Sequence, residues 1–269
     1  MKVISFVPSL TETLITAGVT VVGRTRFCIH PEDKVKSLPV VGGTKNLDLE
    51  KIKELKPDLV IFDKEENNKE MFDECLESRF KCYATHITNI QTCGEELKNL
   101  GRLLSNDELN LWGEQYLSFV TSLNKEALKL KHIYKSFLKV DTLNAKHTSF
   151  GENNHPQQML KLFDHTLKGS HSLHIHYVIW KNPFMIVNQN TFIADVLRLF
   201  DVNVSLNEKK YVEISENDLK SKFCFFSSEP YPFHKDYFKL LDLGYQGILV
   251  DGEKISWYGI RNLKFLLDK

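Results

Sequence analysis

LDLEKIKELKPDLVIFD, residues 47–63, decides the fold class. Leu47, Leu49, Ile52 and Leu55 line one face of an amphipathic helix. Pro57 stops it, because proline has no N–H to donate and its ring clashes with the preceding turn. DLVIFD then runs without a polar break, which marks a strand in a sheet covered on both faces. Upstream, VISFVP reads as a strand and PSLTETLITAGV as the helix after it, with Ser9 as N-cap, Glu12 at the capping-box position and Gly18 closing it. VTVVGRT is a second strand, NKEMFDECLES a helix and KCYATH a further short strand. Strands alternating with helices predict a parallel, wound α/β lobe over residues 1–105.

The pattern changes from Asn106 to about Leu138, where there is no Pro and one Gly, Gly113, a weak breaker near the start. Leu109, Trp112, Tyr116, Phe119, Val120, Leu123, Ala127, Leu130, Ile133 and Phe137 fall at spacings of three and four. They predict a single helix of roughly thirty residues, about 45 Å long, over 106–138. Such a helix suits a spine between two lobes. Residues 139–172 are polar and turn-rich with one short amphipathic stretch, and read as an irregular connection. A second α/β set occupies 173–269, with HIHYVIW, FCFFSS and QGILVDG as strands and a closing helix from about Trp257.

The bulk composition excludes several classes. Lys and Arg number 35, and so do Asp and Glu, so the basic excess expected of a nucleic-acid footprint is missing. No stretch approaches the roughly 18 apolar residues of a membrane span. MKVISFVPSL has one Lys and no long apolar segment before a small-residue cleavage site, so the sequence as encoded reads as cytoplasmic; a periplasmic location would follow if it has been trimmed. The five cysteines form no CxxC pair. Cys75 and Cys82 could be bridged in an oxidising compartment, but buried thiols are the preferred reading. GxGxxG, GxxxxGK[ST] and GxSxG are all absent, so no dinucleotide, P-loop or nucleophile-elbow site is indicated.

Aromatic and polar residues gather instead where strands end, and ligands of open α/β sheets bind outside the carboxyl ends of strands. RTRFCIHP, KEENN, WKNPFM, SSEPYPF and DGEKISWYG carry Arg24, Arg26, Phe27, Lys64, Glu66, Trp180, Asn182, Phe184, Glu229, Tyr231, Phe233, Trp257 and Tyr258, and Lys45 is a further ligand-binding candidate in VGGTKN, a turn too short and generic for a phosphate cradle. Aromatic walls with a few fixed polar groups describe a small-molecule cleft. Trp180, Phe184, Tyr231 and Trp257 would stack on a ligand, Arg24, Arg26 and Lys64 would meet its carboxylates or phosphates, and Glu66, Glu229 and Glu253 would accept from its amides. The bland alternative for any one aromatic is a core residue capping its sheet. His174 and His176 in SHSLHIHY would share a strand face, with His171 nearby, as candidate metal ligands; otherwise they are a solvated strand entrance, and no metal site is assigned.

The same loops resemble the periplasmic-binding-protein family for cobalamin and iron chelates, in particular the helical-backbone metal receptors. VISFVPSLTETLITAGV, VGRTRFCIHP, VGGTKNLDLEKIKELKPDLVIFDKEEN, IWKNPFMIVNQNTFIADVL, FFSSEPYPF and VDGEKISWYG carry the resemblance, which covers residues 1–105 and 173–269. It implies two Rossmann-like lobes with mostly parallel sheets, joined by one long rigid helix, with a ligand cleft between the lobes. It implies a monomeric binding protein without catalysis, capturing a corrinoid, haem or iron chelate for an ABC permease. In the exported members an acid on each lobe docks the permease; those positions fall on Glu50 and near Asn217, where Glu216 and Asp218 flank an absent acid. The position of the Trp that stacks on the corrin in cobalamin receptors is Thr44. Two other readings stand beside this one: a two-lobed glycosyltransferase-like enzyme with His30 or Glu66 as base, and a cytoplasmic relative that has kept the fold and lost the ligand.

Overall fold

DLVIFD forms β3 (Leu59–Asp63), and all five of its residues are buried. The computed structural model describes residues 1–122 and 173–267, which divide into two units, 1–122 with 257–267 and 173–256. In the first unit β3 lies beside β1 (Lys2–Ser5), with β2 (Thr20–Arg24) and β4 (Cys82–Thr85) outside them, in the order β2-β1-β3-β4. Every pairing is parallel. A sheet of this kind needs cover on both faces. Helices α1 (Pro8–Thr16), α2 (Glu32–Val35), α3 (Leu49–Leu55) and α4 (Lys69–Glu77) follow the strands. Ile4, Phe6, Ile52, Val60, Phe62 and Met71 form one core cluster, with the Phe6 and Phe62 rings stacked 5.0 Å apart. Each such side chain contributes roughly 1.5–3 kcal/mol by leaving water.

Ser9 is not the cap of α1. Val7 holds that place and Pro8 stands at the first helical position, where its missing N–H costs nothing. The next helix pair is α5 (Ile90–Leu104) and α6 (Asp107–Ser122). The sequence reading passed over α5, although Asn89 and Thr92 form a capping box ahead of buried Ile90, Cys93, Leu97 and Leu100. Leu109, Trp112 and Tyr116 of α6 are buried as their spacing predicts. A Cβ on Gly113 would lie 2.6 Å from the Gly94 carbonyl oxygen, so Gly113 serves close helix approach rather than a break. The rest of the expected spine, to Leu138, and the connection 139–172 lie outside the described residues.

The second unit has a small parallel pair, β5 (Leu173–His174) with β8 (Val202–Asn203), and a five-stranded sheet. That sheet runs β11 (Gly247–Val250), β10 (Cys224–Ser227), β6 (His176–Trp180), β7 (Met185–Val187), β9 (Tyr211–Glu213). β11, β10 and β6 are parallel; β7 and β9 add antiparallel pairings at one side. Val178, Phe226, Tyr237, Leu240 and Leu249 are among its core. No helix among the described residues is long and apolar enough to cross a membrane.

The end of the chain departs from the sequence reading. The closing helix, Ile260–Leu267, lies with residues 1–122 and not with the second unit. Polar contacts hold it there. Arg261 grips Glu12 of α1 with Nε and Nη2, both at 2.8 Å, so Glu12 serves this pair and not a capping box. The Thr13 hydroxyl donates to the Ser9 carbonyl and accepts the Ile260 N–H at 3.0 Å, satisfying a donor at the helix start that has no partner within the helix. The Tyr116 hydroxyl lies 2.8 Å from the Gly259 carbonyl and 3.0 Å from Asn262 Oδ1, and accepts the Gly259 N–H.

Gly259 has φ 93°, and a Cβ there would lie 2.1 Å from Thr13 Oγ1. Gly18 has φ 78° with nothing within 4 Å of its would-be Cβ. Gly259→Ala should therefore combine backbone strain with overpacking and lose roughly 2 kcal/mol or more, whereas Gly18→Ala bears strain alone, roughly 1 kcal/mol. Urea denaturation of the two variants checks this; equal losses would remove the Thr13 contact from the account.

Candidate functional site

Asp63 organises the carboxyl ends of the first sheet. It is the last residue of β3 and 1% exposed. Its Oδ2 accepts from Thr85 Oγ1 at 2.7 Å and from the Ile87 N–H at 3.2 Å; its Oδ1 accepts from the Glu65 N–H at 2.8 Å. Burial pushes its carboxyl up against these hydrogen bonds, which pull it down. Asn67 completes the frame: its Oδ1 accepts the Asp63 N–H, and its Nδ2 donates to the carbonyls of Phe6 and Thr44. Four loops are thus tied at one sheet edge. Neither residue was singled out from the sequence, although an acid ending an otherwise apolar strand was the available signal.

Around this frame the candidates of the first unit sort by exposure. Arg26, Phe27, Lys45 and Lys64 are exposed. The Arg26 guanidinium lies 4.9 Å from the centre of the Phe27 ring, a cation–π contact. Arg24 is already engaged: Nε donates to the Val35 carbonyl at 2.7 Å and Nη1 to those of Thr25 and Cys28, so it folds the loop after β2 rather than waiting for an anion. Trp257, read as part of the second lobe, belongs to the first unit. It is half-buried, with the His30 ring edge-on at 5.6 Å and the Arg261 guanidinium over its face. Tyr258 is 5% exposed and beside Ser9, Asp63 and Glu66, so it is part of the packed interior. Glu66 is partly buried between these groups.

In the second unit β6, β10 and β11 end at one edge. Trp180 closes β6 at 41% exposure, with the Tyr231 ring edge-on at 5.9 Å. The Tyr231 hydroxyl donates to Asp236, which also pairs with Lys181 at 3.0 Å. Asn182 is exposed with φ 65°. Glu229 Oε1 accepts from Ser256 Oγ at 2.7 Å, and the Glu229 N–H reaches Ser227 Oγ at the end of β10. Phe184 and Phe233, expected to face a ligand, are 8% and 0% exposed and lie in the core cluster. Both loops turn their second aromatic inward, because each loop must cover the apolar face of its own sheet.

The histidine cluster does not form. His174 is exposed on β5, whereas His176 begins β6 at 5% exposure, in a different sheet. Ile175 separates the two strands, so the alternation that would give a shared face is broken. His171 lies outside the described residues. Among the described residues no group of three or more His, Cys, Asp or Glu is placed to hold a metal. The permease-docking candidates are both exposed in first turns of helices: Glu50 in α3, paired with Lys53 at 2.8 Å, and Glu216 in the helix Glu216–Lys220, beside the Tyr245 hydroxyl.

The family model for periplasmic binding proteins matches residues 3–137. The chain belongs to that family. Its members are binding proteins, and the chain is accordingly a substrate-binding protein. A search of curated proteins by sequence finds no match. Among solved structures, the periplasmic vitamin B12-binding protein of Vibrio cholerae superposes with a TM-score of 0.67 at 16% identity, covering 99% of this chain and 93% of that one. A periplasmic haem-binding protein from Pseudomonas aeruginosa gives 0.68 at 16% identity, covering 98% and 89%. A possible iron-binding, periplasmic solute-binding protein from Staphylococcus epidermidis gives 0.64 at 18%, covering 99% and 96%. At these identities the likeness establishes the fold: the two α/β units expected from the sequence.

His176 supplies a test of this part of the structure. Its Nδ1 meets Ser205 Oγ at 3.3 Å, while its buried Nε2 has no hydrogen-bond partner among the described residues. Burial, and then the Lys222 charge, lower its pKa, with Asp218 opposing. The unfolded chain then binds more protons than the native one below the unfolded histidine value, so stability falls as pH drops through that value towards the folded one. Acidification from pH 7.5 to 5 should cost at most about 1.4 kcal/mol per unit through this group, and His176→Gln should remove that share. Urea midpoints at both pH values read it out; identical acid dependence in parent and variant would contradict it.

Proposed function

We propose that the chain captures a small metal-chelate-type ligand, of the corrinoid, haem or iron-chelate class, as a monomer and passes it to an ABC-type permease. The observation that carries this reading is aromatic surface left open where the sheets end: Phe27 is 47% exposed and Trp180 41%. Both stand on loops that also hold exposed polar groups, Arg26 and Asn182. Apolar rings with a few placed polar partners suit a broad, flat ligand better than a small ion. The printed names of the three similar proteins, binders of vitamin B12, haem and possibly iron, support the same class. Glu50 and Glu216, one acid on each unit and each exposed near a helix start, support the docking half of the proposal.

Trp180→Ala and Phe27→Ala should each weaken ligand binding by roughly 1–3 kcal/mol, about five- to 150-fold, with little change in melting temperature. Trp112, 9% exposed on α6, should show the reverse when replaced by Ala: lower stability and unchanged affinity. Titration of each variant with a corrinoid, haem and a ferric chelate, beside thermal melts, decides it. Parent-like binding by both loop variants would move the ligand elsewhere. Charge reversal at Glu50 and Glu216 together should abolish uptake through the permease while binding persists; intact uptake would remove the docking assignment.

A further inference from the structure

The turn from α4 into β4 brings two thiols together, those of Cys75 and Cys82, and neither serves the candidate site. Cys75 lies one helical turn beyond Met71, on the buried face of α4. The helix then closes. Arg79 takes φ 65°, its N–H donates to the Leu76 carbonyl at 2.8 Å, and the Phe80 N–H donates to the Cys75 carbonyl at 3.1 Å. A left-handed residue at this place reverses the chain directly after a helix. β4 begins two residues later, and strand alternation turns Cys82 and Ala84 towards the core cluster that holds Cys75. The Cys82 thiol reaches the Phe80 carbonyl at 3.6 Å, and Cys75 and Cys82 are hydrogen-bonded to one another.

The other three cysteines are set differently. Cys28 lies between Thr11 and Thr25, Cys93 beside Tyr116, and Cys224 against the Leu219 and Lys222 carbonyls of the second unit. Burial pushes all three thiols up, which suits inert packing groups. The pair is unequal. Cys75 is 0% exposed, and its bond to Cys82, and then its burial, push its thiol up. Cys82 is half-buried, and the bond from Cys75 holds its thiol below the usual cysteine range. An accessible thiol that ionises readily, backed by a buried partner in contact, is the arrangement of a nucleophile and its resolving group.

We infer that Cys75 and Cys82 form a dithiol that a small-molecule disulfide oxidises to an internal bridge, with Cys82 attacking first and Cys75 resolving. Cys82 Sγ, as thiolate, bonds to one sulfur of the oxidant and expels the other half, which takes up the proton that Cys82 released. Cys75 then loses its proton, and its Sγ attacks Cys82 Sγ and expels the second half as a thiol. Two protein thiols are oxidised, one disulfide is reduced to two thiols, and no further reactant enters. The bridge would fasten α4 to the amino end of β4. Thr85, at the carboxyl end of that strand, holds Asp63, so the redox site is separate from the loops of the candidate site and stands independently of the proposed ligand.

Glutathione disulfide is the probe. The folded full chain, incubated with an excess of it and titrated after denaturation, should fall from five reactive thiols to three, two being spent on the bridge. Tryptic mapping should find the Cys75 peptide joined to the Cys82 peptide, and dithiothreitol should restore all five thiols. Cys75→Ser should stop with glutathione held on Cys82. Cys82→Ser should lose thiols no faster than the buried Cys28, Cys93 and Cys224 do in the parent. Five thiols retained by the parent overturn the inference; so do a glutathione adduct that persists on its Cys82 and a bridge to any other cysteine. Cys82→Ser reacting at Cys75 as fast as the parent overturns the assigned order of attack. The thiol count and the peptide map need the parent alone, so a variant that fails to fold leaves the test intact.

Discussion

A carboxylate that must be buried constrains the carboxyl end of the first unit's sheet. Asp63 ends a strand whose every residue is covered, so its charge has no water to lean on. The fold answers with backbone and side-chain donors from its own loop and from the end of β4, and with Asn67, which carries the tie across to Phe6 and Thr44. The loops that bear Lys45, Lys64 and Glu66 are therefore set by hydrogen bonds to one anchor. Removing a donor here leaves a buried acceptor unsatisfied, a larger penalty than the net worth of one bond. Rigid loops at strand ends are what a binding protein needs: a ligand then meets side chains already in place and little ordering cost remains to be met on binding.

Against that fixed frame, the remaining side chains at the sheet ends divide into those the protein has committed to itself and those it leaves open. Arg24, Phe184, Phe233 and Tyr258 belong to the first group, as carbonyl holder or core. Arg26, Phe27, Trp180, Asn182 and Glu66 belong to the second. The division is physical: an aromatic wrapped by its own core has no area left to gain from a ligand, and a guanidinium with three carbonyls has few donors to offer.

Much of this was legible in residues 47–63 and their neighbours, because strand and helix periodicities are local properties. An unbroken apolar run names a doubly covered strand whatever the rest of the chain does, and β3, β10 and β11 all followed it. The helix α5 was legible too, through its Asn89–Thr92 box, but passed over. What periodicity does not carry is the direction in which an irregular loop turns its side chains. WKNPFM offered Trp180 and Phe184 as equals, and only the sheet face waiting beneath Phe184 separates them. The shared face of His174 and His176 failed for a related reason: alternation holds within one strand, and the chain changes sheets between them. The last segment was misplaced because Thr13 and Ile260 meet across nearly the whole length of the chain, and no local pattern encodes such a pairing.

That pairing also governs the order in which the molecule can be made. Unit one is begun before the second unit but is completed only by residues 257–267, which are made after it. At about 5–20 residues per second, the stretch between residue 122 and residue 257 takes roughly 7 to 27 s to synthesise. Through that interval Glu12 of α1 stands without Arg261 and Tyr116 of α6 without Asn262, and the closing helix is missing from beside them. The second unit, whose residues are contiguous, meets no such delay. The first unit is thus begun before the second and finished after it, which leaves its incomplete form open to chaperones and proteases on the nascent chain.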